Sequence, residues 1–411
     1  MTTALSPQEL RTALLLRHEL ALIDLRDEAS FALGHPLFAA QLPLDRLELE
    51  APVRIPRRDT LVVLYGDEGD AEQGKAKLEQ LGYSRVALLQ GGLNAWKAAG
   101  FELFEDVNSY SKAFGELVEA RRHTPSLSAE EVQALIAQGA QIAIVDARRF
   151  EEYQTMNIPT GTSVPGAELV LRVPALAPDP HTLVIVNCAG RTRSIIGAQS
   201  LINAALPNRV VALRNGTIGW KLAGQTLEHG QQRRVPEPST KTILEARRKA
   251  REVAYRAGVL HIGHAELARL DEDRTRTCYR FDVRTPEEYL AGHLPGFRSA
   301  PGGQLVQETD HFAPVRGARI VLSDELGARA EMTASWLAQM AWEVYVLDEA
   351  SQARVAGPDA RALPPRSSNG RYKRPYEGTD SPAAAMRAYL EWEFGLVEQL
   401  RRDGTHGFFV I

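Results

Sequence analysis

Leu183-Val184-Ile185-Val186-Asn187-Cys188-Ala189-Gly190-Arg191-Thr192-Arg193-Ser194 is the stretch from which the rest of the chain is read. A β-branched run drives into a cysteine, a compact loop carries two arginines, and a helical pattern begins at Ser194. A thiol is a good nucleophile only as the thiolate, and a helix N-terminus with nearby guanidinium charge lowers its pKa. The same donors hold an oxyanion. An isolated cysteine at a strand end is more often a buried structural thiol. Two arginines and a glycine straight after Cys188 favour the reactive reading. Cys188 is then the candidate nucleophile, and Ala189, Gly190, Arg191, Thr192, Arg193 and Ser194 the candidate substrate-binding loop.

Working outward, the surroundings of this stretch recur. Ser6 and Ser128 each precede a short amphipathic helix with a capping-box glutamate, Glu9 and Glu131, and His264 takes the same slot further on. Each is followed 18 residues later by the aspartate of an Asp-x-Arg triplet: Asp24 and Arg26, Asp146 and Arg148, Asp282 and Arg284. A second apolar strand then ends 42 residues beyond each aspartate, at Gly66, Cys188 and Asp324. Three equal offsets mark an internal repeat. Each copy continues with a helix and a strand (Val86–Leu89, Val210–Leu213, Val344–Leu347). Gly92 to Trp96 parallels Gly216 to Trp220, whereas the third copy has Asp348-Glu349-Ala350 and no tryptophan.

Alternating strands and helices predict an α/β unit with a mainly parallel sheet, whose chemistry lies beyond the carboxyl ends of the strands. Gly66, Cys188 and Asp324 all fall there, and only the middle unit presents a nucleophile. The expected division is three α/β modules at 5–105, 126–232 and 261–352. Helical linkers take 106–125 and 233–260, an extended Pro/Gly/Ser/Arg-rich linker takes 353–380, and a C-terminal helix with its tail takes 381–411. Trp96 and Trp220 are expected to be packing residues, Cys278 a buried core thiol, and Tyr389, Trp392 and Phe394 a docking face. The last eight residues, Gly404 to Ile411, match no expectation.

At 411 residues the chain is long enough for about two to four domains. A hydrophobic share of 44% with 24% charged residues is an ordinary globular balance, and a net charge of −4 argues against a polyanion binder. The basic run Arg247 to Arg251 reads as a solvated helix face rather than a nucleic-acid site. Met1 to Pro7 lack a basic n-region, no apolar run reaches the roughly 18 residues of a membrane span, and two cysteines cannot make a disulfide framework. The expectation is a cytoplasmic protein with no nucleic-acid or membrane partner.

Asp282-Val283-Arg284-Thr285-Pro286-Glu287-Glu288-Tyr289, Gly292-His293-Leu294-Pro295-Gly296 and the Gly92 to Trp96 ending resemble the rhodanese homology domain, the fold of the sulfurtransferases. Asp146-Ala147-Arg148 with Glu151-Glu152-Tyr153 and Ile158-Pro159 is a weaker copy, with Asn157 where the family usually has histidine. The resemblance covers roughly 5–350. It implies one catalytic and two inactive modules, with Cys188 taking the outer sulfur of thiosulfate or a related donor. The resulting persulfide would pass its sulfur to cyanide, a thiol or a thioredoxin-like acceptor. It implies no metal and no organic cofactor, because the cysteine carries the sulfur. Asp146 and Arg148 are expected as supporting braces.

The family loop is six residues beginning at the cysteine, here Cys188 to Arg193. It commonly has glycine fourth and often arginine sixth; here Gly190 is third, Arg191 fourth and Arg193 sixth. Two loop cations favour a small dianion. A phosphatase or arsenate reductase on this fold would place its arginine six residues after cysteine, and that position is Ser194. A third reading is a non-catalytic relay or interaction protein that receives persulfide from a partner.

Overall fold

The computed structural model describes residues 4–348, 354–359, 361–366, 370–374 and 376–411. Glu349 and Ala350, which end the third repeat, and Met1 to Thr3 lie outside the described residues. The middle module is a parallel sheet in the order Ser126–Leu127, Val210–Leu213, Leu183–Asn187, Ile142–Asp146, Thr162–Ser163. Its central strands read as continuous apolar runs because helices cover both faces of the sheet. The third module repeats this order with Leu260–Ile262, Glu343–Leu347, Arg319–Ser323, Cys278–Asp282 and Arg298–Ser299. In the first module Ala4–Leu5, Val86–Leu89, Leu61–Tyr65 and Leu20–Asp24 run parallel, with Ala39–Gln41 beside the last.

Ser6 and Ser128 form the expected capping boxes with Glu9 and Glu131. His264 does not cap its helix. Gly263 holds the extended cap position, no side chain bonds there, and His264 is the first helical residue. Trp96 and Trp220 are buried, each indole N–H donating to a backbone carbonyl, Glu102 O and Thr226 O, at 2.9 Å. Cys278 departs from expectation. It is half-buried near the rim of the third sheet, and burial, aided by Asp271, pushes its thiol up to about 11.

The modules are fused. Val315–Arg316 of the third module adds to Leu20–Asp24 of the first as an antiparallel strand, pairing Val315 with Ala21. One apolar cluster runs from Leu10 through Phe114 and Trp336 to Val344, Leu396 and Leu400. Helix Thr240–Arg256 buries Ala246, Ala250 and Val253 in the middle module's core beside Ala328 and Met332. Its basic face meets acids: Arg247 and Arg251 reach Asp348 at 2.8 and 2.7 Å.

The extended linker is stapled to the first module, with Arg366 on Glu50 at 2.7 Å and Tyr372 N–H donating to Glu28 at 2.8 Å. Residues 353, 360, 367–369 and 375 of that linker lie outside the described residues. The C-terminal helix Pro382–Asp403 packs on helix Ser109–Arg122, and Ser381 makes no side-chain cap. The final residues then wedge between modules: Phe408 meets Tyr110 and Phe114 edge-on, and Ile411 N–H donates to Gln339 at 3.0 Å. Among the described residues no helix is long and apolar enough to cross a membrane.

Candidate active site

Strand Leu183–Asn187 delivers Cys188 to the carboxyl edge of the middle sheet, and helix Thr192–Asn203 leaves from the other side of the loop. Neighbouring elements fix the loop. Asn187 Nδ2 donates to Asp146 at 3.0 Å, and Arg148 grips Asp146 at 2.7 to 2.9 Å while donating to Met156 O at 2.6 Å. Asp146 and Arg148 therefore tie the strand end to the next loop. On the opposite side the Cys188 carbonyl accepts from both Thr217 N–H and Thr217 Oγ1 at 2.9 Å. This requires glycine at 216: its φ is +51° and a Cβ there would lie 2.4 Å from the Cys188 carbonyl oxygen.

Cys188 is 1% exposed. Its thiol donates to Ser194 Oγ at 3.4 Å, and that hydroxyl donates to Arg191 O at 2.8 Å. Burial pushes the thiol up, Arg193 and the Ser194 hydroxyl and amide draw it down, and Glu393 adds to the rise; the net direction is upward. This reverses the sequence expectation of a lowered pKa. Burial is the largest cause, and both arginines are engaged by carboxylates elsewhere.

Arg191 donates to Glu116 at 2.8 and 2.9 Å and to Asn215 at 3.1 Å, and also bonds Glu119. The Phe394 ring centroid lies 4.1 Å from its guanidinium carbon. Its charge is compensated by helix Ser109–Arg122, so it ties the loop to that helix. Arg193 donates to Glu152 at 2.7 and 3.0 Å. Arg149 and Arg374 approach the same carboxylate at 3.5 and 3.8 Å. Burial works to raise Glu152, but Arg193, Arg148 and Arg149 outweigh it and hold the carboxyl at about 2. Three guanidinium groups thus share one carboxylate beside the loop. The excess positive charge comes from Arg193, Arg149 and Arg374, not from Arg191.

The loop opens into a chamber of about 400 Å³ walled by the whole chain: Arg54 of the first module, Lys112 of helix Ser109–Arg122, Asp310 of the third module, Arg374 of the extended linker and Glu393 of the C-terminal helix all line it. Among the described residues no group of His, Cys, Asp and Glu is placed to hold a metal.

A model of the rhodanese-like domain matches residues 6–99, 128–223 and 264–353. The chain belongs to the rhodanese-like family. Among solved structures it is similar to a thiosulfate sulfurtransferase from Pseudomonas aeruginosa, at 51% identity over 100% of both chains with a TM-score of 0.96. It is also similar to the Alr3790 protein from Anabaena sp., at 25% identity over 25% of this chain and 83% of that one with a TM-score of 0.24. The BH2092 protein from Bacillus halodurans matches at 24% identity over 27% of this chain and 85% of that one, with a TM-score of 0.23.

Comparing the three rhodanese modules shows what the loop is built to hold. In the third, Asp324 takes the place of Cys188, and its carboxylate accepts N–H groups of Leu326, Arg329 and Ala330 at 3.1, 2.9 and 3.4 Å. In the third module the loop is an anion cradle. Arg329 stands where Arg193 does and repeats its pairing, with Glu288 at 2.6 Å, while also bonding Asp324 at 2.8 Å and Glu168 of the middle module at 3.0 Å. The first module has Gly66 at the cysteine position and Ala71 and Ser30 in place of the arginine and glutamate.

Sequence reading did not single out Glu152, Arg149, Arg374 or Glu393 for the site. Glu152 had a signal, because Glu288 precedes Asp324 by the same 36 residues that separate Glu152 from Cys188. Arg374 and Glu393 had none, since they arrive from outside the repeats through tertiary packing alone.

Proposed function

We propose that this protein is a thiosulfate sulfurtransferase working through a persulfide on Cys188. The observation that carries the reading is its likeness, over both whole chains, to a protein that bears that activity in its name, together with a cysteine at the strand end where the third module's loop amides hold a carboxylate. The Cys188 thiol, which burial keeps protonated at rest, first gives its proton to solvent; the thiolate then attacks the outer sulfur of thiosulfate, the sulfur–sulfur bond breaks, and its electron pair leaves with sulfite. The persulfide anion Cys188–S–S⁻ lies where Asp324 holds its carboxylate in the third module, within reach of the Ser194 amide. A nucleophile such as cyanide then removes the outer sulfur as thiocyanate and returns the thiolate.

Ala189 to Ser194 form the donor-binding loop, Arg193, Arg149 and Arg374 supply the positive charge for a dianion, and Asp146 and Arg148 brace the strand end. Arg191 positions the loop against Glu116. The enclosed thiol favours a small acceptor, a low-molecular-weight thiol or cyanide, over a folded thioredoxin-like partner or a protein persulfide donor. At the arginine position of a phosphatase loop stands Ser194, which weighs against phosphoryl chemistry. A thiol of this kind suits a reducing compartment such as the cytoplasm.

Thiosulfate-to-cyanide transfer by wild type and Cys188→Ala, with intact-mass detection of one added sulfur on the wild type alone, tests the reading. Turnover that persists in Cys188→Ala, or Cys188-dependent hydrolysis of an aryl phosphate without sulfur transfer, would sink it.

A further inference from the structure

One wall of the chamber belongs to no rhodanese module. Glu393 of the C-terminal helix is 2% exposed, and its Oε2 has no hydrogen-bond partner. That oxygen lies against the loop: a Cβ built on Gly190 would stand 3.3 Å from it. The reversed order of Gly190 and Arg191 thereby acquires a physical reason. A side chain at the third loop position would crowd this carboxyl, and the fourth carries the arginine that holds the loop to helix Ser109–Arg122.

A buried carboxyl with a free oxygen is expensive and concentrates at functional sites. The groups facing Glu393 are Lys112 and Glu116 of helix Ser109–Arg122, Asp106 before it, Arg191 and Cys188 of the loop, Tyr376 of the linker and Tyr389 on its own helix. Lys112 is engaged by Asp106 at 2.9 Å, and Arg191 by Glu116 at 2.8 Å. Neither cation is left to hold Glu393 as an anion. Burial, with Glu116 and Asp106 outweighing part of the pull of Lys112 and Arg191, pushes the carboxyl up to about 8, so it carries its proton at neutral pH.

Resting on the thiosulfate reading above, we propose that Glu393 is the general acid of the donor half-reaction and gives its proton to a sulfonate oxygen of thiosulfate as the sulfur–sulfur bond breaks. Thiolate, thiosulfate and Glu393–COOH become Cys188–S–S⁻, HSO₃⁻ and Glu393–COO⁻, with three negative charges on each side. The electron pair of the broken bond stays on the sulfite sulfur, and Glu393 recovers a proton from water before the next turnover. The benefit is electrostatic. Without the proton, sulfite would depart as a dianion beside a newly formed persulfide anion.

The test compares full-length wild type and Glu393→Gln with two donors, thiosulfate and benzenethiosulfonate, and cyanide as acceptor. Glutamine keeps the size and an N–H donor but has no acidic proton to give. Sulfinate, the leaving group of benzenethiosulfonate, is a weaker base than sulfite and departs unaided. The expected result is a roughly 10²-fold fall in kcat with thiosulfate, the usual scale of general-acid catalysis, and near wild-type kcat with benzenethiosulfonate. An equal loss with both donors, the mark of a merely structural role, overturns the proposal, as does unchanged thiosulfate turnover. Failure of the wild type itself to release sulfite would instead bring down the sulfurtransferase reading on which this one rests.

Discussion

Arg193 and Glu152 face each other through two hydrogen bonds of 2.7 and 3.0 Å beside the Cys188 loop, and Arg329 and Glu288 repeat the pair in a module that has lost its sulfur. A pair that persists where there is no nucleophile serves first to shape the loop. In the middle module the same arginine has a second effect, because it is the cation that lowers the Cys188 thiol against burial.

Arg193→Ala is therefore expected to move the Cys188 thiol further up, read as a more alkaline midpoint for alkylation by iodoacetamide. Thiosulfate kcat/KM should fall roughly 10- to 100-fold, the worth of one charge-assisted hydrogen bond. Arg191→Ala should act differently. It strips the partner from buried Glu116, so the loss should appear mainly as lower thermal stability.

Gly190→Ala places a methyl group 3.3 Å from Glu393 Oε2. The end of that side chain must give by a few tenths of an ångström to admit it, so a urea melt should show a loss of at most about 1 kcal/mol, the low end of overpacking. The double variant Gly190→Ala/Glu393→Ala removes the opposing oxygen and should recover most of that stability. An additive pair of losses would mean that the two residues do not meet.

Glu393 also links stability and donor binding to pH. Its folded value of about 8 lies above the ordinary glutamate value of 4.5. Its contribution to stability is thus fully present below pH 4.5 and is lost as pH rises through 8. Glu393→Gln should be less sensitive to alkali than wild type in thermal melts between pH 6 and 9. Thiosulfate binding to Cys188→Ala, followed by calorimetry, should weaken across the same interval as a negative charge appears in the chamber. That slope should vanish in Cys188→Ala/Glu393→Gln.

Asp324 is the counter-charge for Arg329, which is fully buried. Asp324→Ala breaks a buried ion pair and leaves loop amides without an acceptor, a loss of roughly 3–5 kcal/mol where no other partner remains. Glu288 and Glu168 still hold Arg329, so the measured loss should fall at the low end, and Asp324→Asn should lose less.

Much of this molecule was readable from spacing. The 18- and 42-residue offsets located three modules and put Cys188, Asp324 and Gly66 at one topological place, because a repeated α/β unit keeps its strand ends in register with its sequence. Asp146 and Arg148 were legible as braces for the same reason. What spacing could not convey was the destination of a side chain. Arg191 looks like a ligand cation in sequence and is a loop anchor in space, since its partners Glu116 and Glu119 lie about seventy residues upstream. Arg374 and Glu393 reach the loop only because the linker and final helix fold back across the modules. The sign of the Cys188 shift followed from that same packing, which buries the thiol more than it charges its surroundings.

The strand Val315–Arg316, borrowed by the first module's sheet from the third, sets an order of assembly during synthesis. The edge of Leu20–Asp24 that it covers must wait until residue 316 has left the ribosome, and the core shared with Leu396 and Leu400 waits until nearly the whole chain has followed. Contacts this distant in sequence slow folding and leave a bare strand edge in the meantime. The first module is made before the other two and is among the last to be finished.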